Sequence, residues 1–304
     1  MIPGKIDVWT PIDGPISYFE DEASVQQGPT TADRLARFAQ RVEELGYGTL
    51  WFPDAFGRDQ MVVSSWLLAN TTRLRIATGI ISIYSRDPVA MRSGADTLNE
   101  QSGGRFILGL GVSHRQVVEG MRGHEYGKPL SAMRSYLDGL DQAVYMAAPP
   151  AQPTPVVLAA LRDKMLELSA ERAGGAHTYN VTPEHTAHAR SIIGPGKMLA
   201  VEQPLILETD AAQARKIARA ELELYLGLEN YLNSWRAMGF AHEDFTAGGS
   251  DRFIDAVVAW GDENALRARI DAHLDAGASQ VCIKPLASDG STDMRILELL
   301  APNA

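Results

Sequence analysis

Asp96-Thr-Leu-Asn-Glu-Gln-Ser-Gly-Gly-Arg-Phe-Ile-Leu-Gly-Leu-Gly-Val112 passes from a helical pattern into a strand within a few residues, and this handover decides the fold. Ser102-Gly-Gly-Arg-Phe106 reads as a helix stop followed by strand entry, because glycine adopts the left-handed backbone of a helix end at no steric cost. The run after it is short and apolar, as a strand covered on both faces must be. Its end, Leu108-Gly-Leu-Gly-Val-Ser113, lacks the third glycine of a dinucleotide-binding turn, so a doubly wound sheet loses its signature. The two glycines read instead as a place where another stretch of backbone comes close.

The same alternation recurs outward in both directions. Strands are expected at 5–10, 49–52, 74–81, 105–111, 155–160, 177–181, 198–207 and 280–286. Between them, 31–46 places Leu35, Phe38, Ala39, Val42 and Leu45 on one helical face, with Gly46 as the stop. Further helices are expected at 89–101, 131–147 and 210–226, the last opening on Asp210 as a cap, and another begins near Asp163. Eight strands alternating with helices favour closure into a (β/α)8 TIM barrel, and residues 1–304 are expected to form a single barrel domain. The Pro-rich 147–155 is then a stiff loop between the fourth and fifth strands. Residues 227–261, with Tyr225, Tyr231, Trp235 and Phe240 in and beside them, are too long for a connection. They are expected to be a helical insertion that walls the pocket or forms a dimer contact.

Composition narrows the function. The apolar share of 45% is enough for a sizeable core. The net charge of -10 has no acidic tail and no basic stripe beside it, which argues against nucleic-acid binding. No run approaches a membrane span and the first residues carry no secretory pattern, so a cytoplasmic protein without membrane contact is expected. Cys282, in Gln280-Val-Cys-Ile283, reads as a small buried hydrophobe, since a lone cysteine has no partner spacing for a metal.

In such a barrel the polar groups just after each strand point into the mouth. That rule selects Thr10, Asp54, residues 79–82, Ser113, His114, Arg162, Thr182 and Lys284. Asp54 follows Pro53 at a strand end and is either a helix cap or a functional carboxylate. His114 is either a proton carrier near neutrality or a surface residue. His124, His185, His188 and His242 lack ligand spacing, and His185 and His188 read as helix surface. No nucleophile elbow, Walker loop or zinc-protease helix is present. A mouth with few acid–base groups and many apolar ones suits an organic cofactor that carries the reaction itself.

Three stretches resemble the luciferase-like monooxygenases, the family that includes the coenzyme F420-dependent oxidoreductases. They are Thr49-Leu-Trp-Phe-Pro-Asp-Ala-Phe56, residues 74–88, and the opening stretch 96–112. Weaker likeness runs through 155–160 and 168–175 to 276–283. The resemblance implies a barrel, a homodimer, a tricyclic cofactor ring in the mouth and a cis peptide at Gly79–Ile80. It implies cofactor binding by Asp54, Gly79, Ile80, Val112, Ser113, Ala160, Leu161 and Arg162; with His114 read from its place after the fourth strand, Asp54 and His114 are expected to be the catalytic pair. Asp54 matches the acidic position beside the ring. Ala55 departs from a histidine found in several F420 relatives, which moves attention to His114. Ala160-Leu-Arg-Asp163 stands where a glycine-rich phosphate loop is common, and backbone N–H groups with Arg162 can still hold an anion there. The implied activity is hydride transfer between F420 and a small organic substrate. The alternatives are an FMN-dependent monooxygenase fed by a separate flavin or F420 reductase, and a non-catalytic flavin-binding protein.

Overall fold

The computed structural model describes residues 5–13, 16–17, 30–54 and 57–302. Eight strands carry the architecture: β1 Ile6–Trp9, β2 Thr49–Phe52, β3 Arg75–Thr78, β4 Phe106–Gly111, β5 Val156–Ala159, β6 Gly175–Thr178, β7 Met198–Leu207 and β8 Gln280–Pro285. Each pairs in parallel with the next, and β8 pairs with β1 to close the ring. The fold is therefore the (β/α)8 barrel that the sequence pattern led to.

Alternation along the strands divides the core in two. Outward residues such as Val8, Leu50, Ile76, Leu108 and Leu158 pack under the helices. Inward residues Trp9, Trp51, Ala77, Ile107, Val157, Ala200 and Cys282 fill the ring, so the barrel is a packed core and only its ends are free for a site. Cys282 is fully buried there, the small hydrophobe that was expected.

Helix ends follow the local chemistry. Ala32–Glu44 is capped by Thr31 and stops at Gly46, whose φ is 89°. After Pro88–Gln101 the chain turns through Gly103 and Gly104, both at positive φ, before β4. Arg105 ties this corner by donating to the carbonyls of Leu68, Leu74 and Ser102.

Three expectations shift. The helix read at 131–147 is Pro129–Gln142, because beyond Leu140 the next apolar side chains, Val144 and Met146, find no surface and Met146 is 94% exposed. The strand read at 177–181 is Gly175–Thr178: its entry has no side-chain signal, and Asn180, at φ 53°, ends it before Val181. His185 is buried rather than on a helix surface, with its Nε2 donating to the Leu161 carbonyl at 2.8 Å.

After the helix Ala211–Leu226 come helix Glu229–Ala237, a 3-10 turn His242–Phe245, helix Asp251–Val257 and strand Ala259–Gly261. β7 overshoots β6, which pairs only with Met198–Val201, and the overhang Leu205–Leu207 takes Ala259–Gly261 in parallel. Trp235, Phe240, Phe253 and Ile254 give these elements their own apolar cluster. Among the described residues no helix is long and apolar enough to cross a membrane.

The glycines of β4 answer to a close approach. A Cβ on Gly109 would lie 1.9 Å from the Thr78 carbonyl oxygen, and one on Gly111 would lie 2.3 Å from Ile80 Cδ1. Gly109→Ala should lose about 2 to 3 kcal/mol of stability, whereas Gly120→Ala, with nothing within 4 Å of the added carbon, should lose none; urea unfolding of both variants checks the contrast.

Candidate active site

The exits of β2, β3 and β4 form a polar corner. Asp54 leaves β2 behind Pro53, and its N–H donates to the Ile80 carbonyl at 2.9 Å. Its Oδ2 accepts from the Ser82 N–H at 3.1 Å and from Arg122 Nη2 at 3.0 Å. The carboxylate is 8% exposed. Burial pushes its pKa up, while the Ser82 N–H and the Arg122 guanidinium pull it back. Asp59, not Asp54, caps the following helix Gln60–Ala69, so the capping role is already filled. Ala55 and Phe56 lie outside the described residues.

At the β3 exit the Gly79–Ile80 peptide is cis. The Gly79 carbonyl accepts from Trp9 Nε1 at 3.0 Å, and a Cβ at Gly79 would lie 2.8 Å from that nitrogen. Only glycine lets the backbone sit against the Trp9 ring. Thr10, after β1, is buried, with its hydroxyl 2.6 Å from that of Thr292.

From the β4 exit, Val112 and Ser113 lead to His114, which is half-buried. Burial lowers the His114 pKa, against an interaction with the Asn230 side chain that raises it. Its ring centroid is 5.9 Å from that of Tyr231. It is thus a group at the mouth in contact with the helix Glu229–Ala237, not a free surface histidine.

At the β5 exit, Ala160 is buried and Leu161 is held through its carbonyl by His185. Arg162 is exposed at the start of helix Asp163–Arg172, which has no side-chain cap. Thr182, by contrast, caps Pro183–Ile193. Of the residues selected from the sequence, Asp54 and Ile80 meet directly, Val112, Ser113 and His114 follow β4 with His114 against Tyr231, and Ala160 to Arg162 follow β5.

Adjoining this corner through Trp9, which bonds the Gly79 carbonyl, is an aromatic cluster that walls the mouth. Trp9, Tyr179 and Lys284 come from the barrel, and Glu221, Tyr225 and Tyr231 come from the helices after β7. Lys284 Nζ donates to the Tyr179 hydroxyl at 2.9 Å and to Glu221 Oε1, and lies 4.7 Å above the Trp9 ring. The Tyr179 and Tyr225 hydroxyls are 2.8 Å apart. Burial alone would discharge Lys284, but Tyr225, Glu221 and Glu202 outweigh it and raise its pKa. Among the described residues no three His, Cys, Asp or Glu side chains gather to hold a metal.

The sequence reading passed over Arg122, Glu202 and Asp7. The two acids had a visible signal, since each is an ionisable residue at an inward position of an apolar strand; Arg122 sits in a loop and had none. Burial raises Asp7 to about 7 despite the Trp51 indole N–H, and Glu202 to about 8 despite Lys284 and the Asn180 N–H. Between the ordinary glutamate value of 4.5 and about 8, native Glu202 keeps a proton that the unfolded chain has released. Rising pH across that window therefore favours unfolding. Glu202→Gln should gain stability relative to the parent at pH 8 and little at pH 5, measured by urea unfolding at both; an equal effect at the two values would show that the native acid is ionised.

The luciferase-like monooxygenase family model matches residues 16–280. A Mycobacterium tuberculosis protein provisionally named a coenzyme F420-dependent oxidoreductase is 41% identical over 103 residues, which cover 34% of this chain and 30% of that protein. The 5,10-methylenetetrahydromethanopterin reductase of Methanolobus tindarius is 27% identical over 290 residues, covering 82% of this chain and 89% of the relative. In fold, the coenzyme F420-dependent tetrahydromethanopterin reductase from Methanopyrus kandleri superposes with a TM-score of 0.69 at 18% identity, over 98% of this chain and 97% of the other. With a closed parallel barrel, a cis Gly79–Ile80 peptide at its mouth and a family match that spans most of its length, this chain belongs to the luciferase-like monooxygenase family.

Proposed function

We propose that the chain is an F420-dependent oxidoreductase that transfers a hydride between the deazaflavin and a small organic substrate. The observation that carries the reading is the polar corner, where Asp54 is bonded to the Ile80 carbonyl, to the Ser82 N–H and to Arg122. F420 in the names of two relatives favours this cofactor over FMN. Two features of the chain fit a large ring with an anionic tail. The Arg122 Nε–H is buried without a partner among the described residues, and helix Asp163–Arg172 begins without a side-chain cap, which leaves N–H groups and the positive end of the helix dipole for an anion.

When bound, the deazaflavin supplies the carbon that gives or takes the hydride. Gly79, Ile80, Val112 and Ser113 would hold its ring, and Ala160, Leu161 and Arg162 its tail. Asp54 would contact the polar edge. His114, whose pKa burial lowers, would accept or return a proton. Trp9, Tyr179, Tyr225 and Tyr231 would keep water from the reacting face. The family's monooxygenase description supports a second reading, an FMN-dependent monooxygenase.

The test is titration of the purified protein with F420 and with FMN, followed by fluorescence. F420 should bind and be turned over without oxygen uptake. Asp54→Asn and His114→Ala should each lower turnover by about 10²-fold or more with unchanged unfolding curves. Binding of FMN alone, with oxygen uptake, would replace the proposal by the second reading. Tight binding with no turnover over a broad substrate panel would point to a non-catalytic protein, and full turnover in both variants would remove the two residue roles.

A further inference from the structure

The loop after β4 is fastened back on itself and onto the β3 exit. Past helix Arg115–Gly120, the Arg122 N–H donates to the Val117 carbonyl and the His124 N–H to that of Val118. The Tyr126 hydroxyl donates to the Ser113 carbonyl at 3.2 Å, and the Gly127 N–H donates to the Tyr84 hydroxyl at 3.2 Å. This fixed loop sends the Arg122 side chain across the rim to Asp54 on the β2 exit.

We infer that Arg122 is a positioning residue of the site: it clamps the Asp54 carboxylate against the Ser82 backbone, so that the two side chains present one preformed polar edge to the bound ring. The inference rests on the proposed function for what that edge meets, but not for the clamp itself. Both Ser82 and Arg122 bond the same oxygen, Oδ2, and Oδ1 has no partner among the described residues. The Arg122 Nε–H is likewise unpartnered and buried. The clamped pair therefore keeps an acceptor oxygen on Asp54 and N–H donors on the Arg122 guanidinium uncommitted among the described residues.

This pair is less exposed than a solvent-facing helix pair such as Arg115–Glu119. Arg122 and Asp54 are 29% and 8% exposed, against 62% and 40% for Arg115 and Glu119. Screening by water and salt is correspondingly weaker at the rim. A second acid, Asp59, faces Asp54 and pushes its pKa up, but Asp59 is itself held by Arg86 at 2.5 Å while it caps its helix. Arg122 is the cation that acts on Asp54 directly.

The clamp is tested on the protein without cofactor by a carbon NMR titration of the Asp54 carboxyl, assigned with Asp54→Asn. In Arg122→Gln the midpoint should rise by about one unit, and Arg122→Lys should hold it near that of the parent. Affinity for whichever of F420 or FMN the parent binds should fall about tenfold in both variants, since lysine keeps the charge but not the planar fork. An unmoved Asp54 midpoint in Arg122→Gln overturns the inference. Should that variant fail to fold, Arg122→Lys decides: undiminished cofactor affinity overturns it, and a loss with the midpoint in place supports it. If the parent binds neither cofactor, the proposed function fails, while the Asp54 shift still reports on the clamp.

Discussion

Closure of β8 onto β1 is the constraint from which the remaining features follow. It gives each of the eight strands a neighbour on both sides, so no strand of the ring is left as an open edge. It also fixes a small interior volume that inward side chains must fill. Trp9 and Trp51 take much of it, with His177 stacked on Trp51 at 4.9 Å between centroids. Because those large rings come from β1 and β2, room has to be made elsewhere. Gly79, Gly109 and Gly111 make it on β4 and at the β3 exit, where a Cβ at each would collide with Trp9, the Thr78 carbonyl or Ile80. Gly79 is thus the counterpart of Trp9, while Gly109 and Gly111 admit the Thr78 carbonyl and the Ile80 side chain.

The mouth then divides by the origin of its parts. The corner made by Asp54, the cis Gly79–Ile80 peptide, Ser82 and Arg122 is built from barrel exits alone. The aromatic wall needs the helices after β7, which bring Glu221 and Tyr225 to Lys284 and Tyr179. His114 joins the halves, since it leaves β4 yet packs near Tyr231. Changes in the later helices would reach the aromatic wall first, and changes in the strand exits would reach the Asp54 corner.

The barrel was legible because its signals are periodic or local. Leu35, Phe38 and Val42 mark a helix face, Gly46 marks its end, and Ser102-Gly-Gly-Arg-Phe106 marks a handover that the backbone angles of Gly103 and Gly104 repeat. Asp54 and His114 were legible as polar residues after strands. What each touches was not, because the partners lie far along the chain: Arg122 is 68 residues beyond Asp54. His185 failed as a surface residue for the same reason, since its helix faces the Leu161 loop. The end of the helix at Gln142 was hidden because Val144 and Met146 continue the apolar pattern without a surface to cover.

Stability alone does not account for the charges at the mouth. A buried ion pair such as Lys284–Glu221 is commonly neutral or worse against apolar residues of the same volume, because desolvation of both groups offsets their attraction. The burial that docks the late helices is already supplied by Trp235, Phe240, Phe253 and Ile254. What the pair adds is register. Apolar surfaces tolerate sliding, whereas an ammonium that must meet both Glu221 and the Tyr179 hydroxyl, above the Trp9 ring, accepts few arrangements. The late helices are thereby held in one register against the ends of the barrel strands, beside the Gly79 carbonyl that Trp9 bonds.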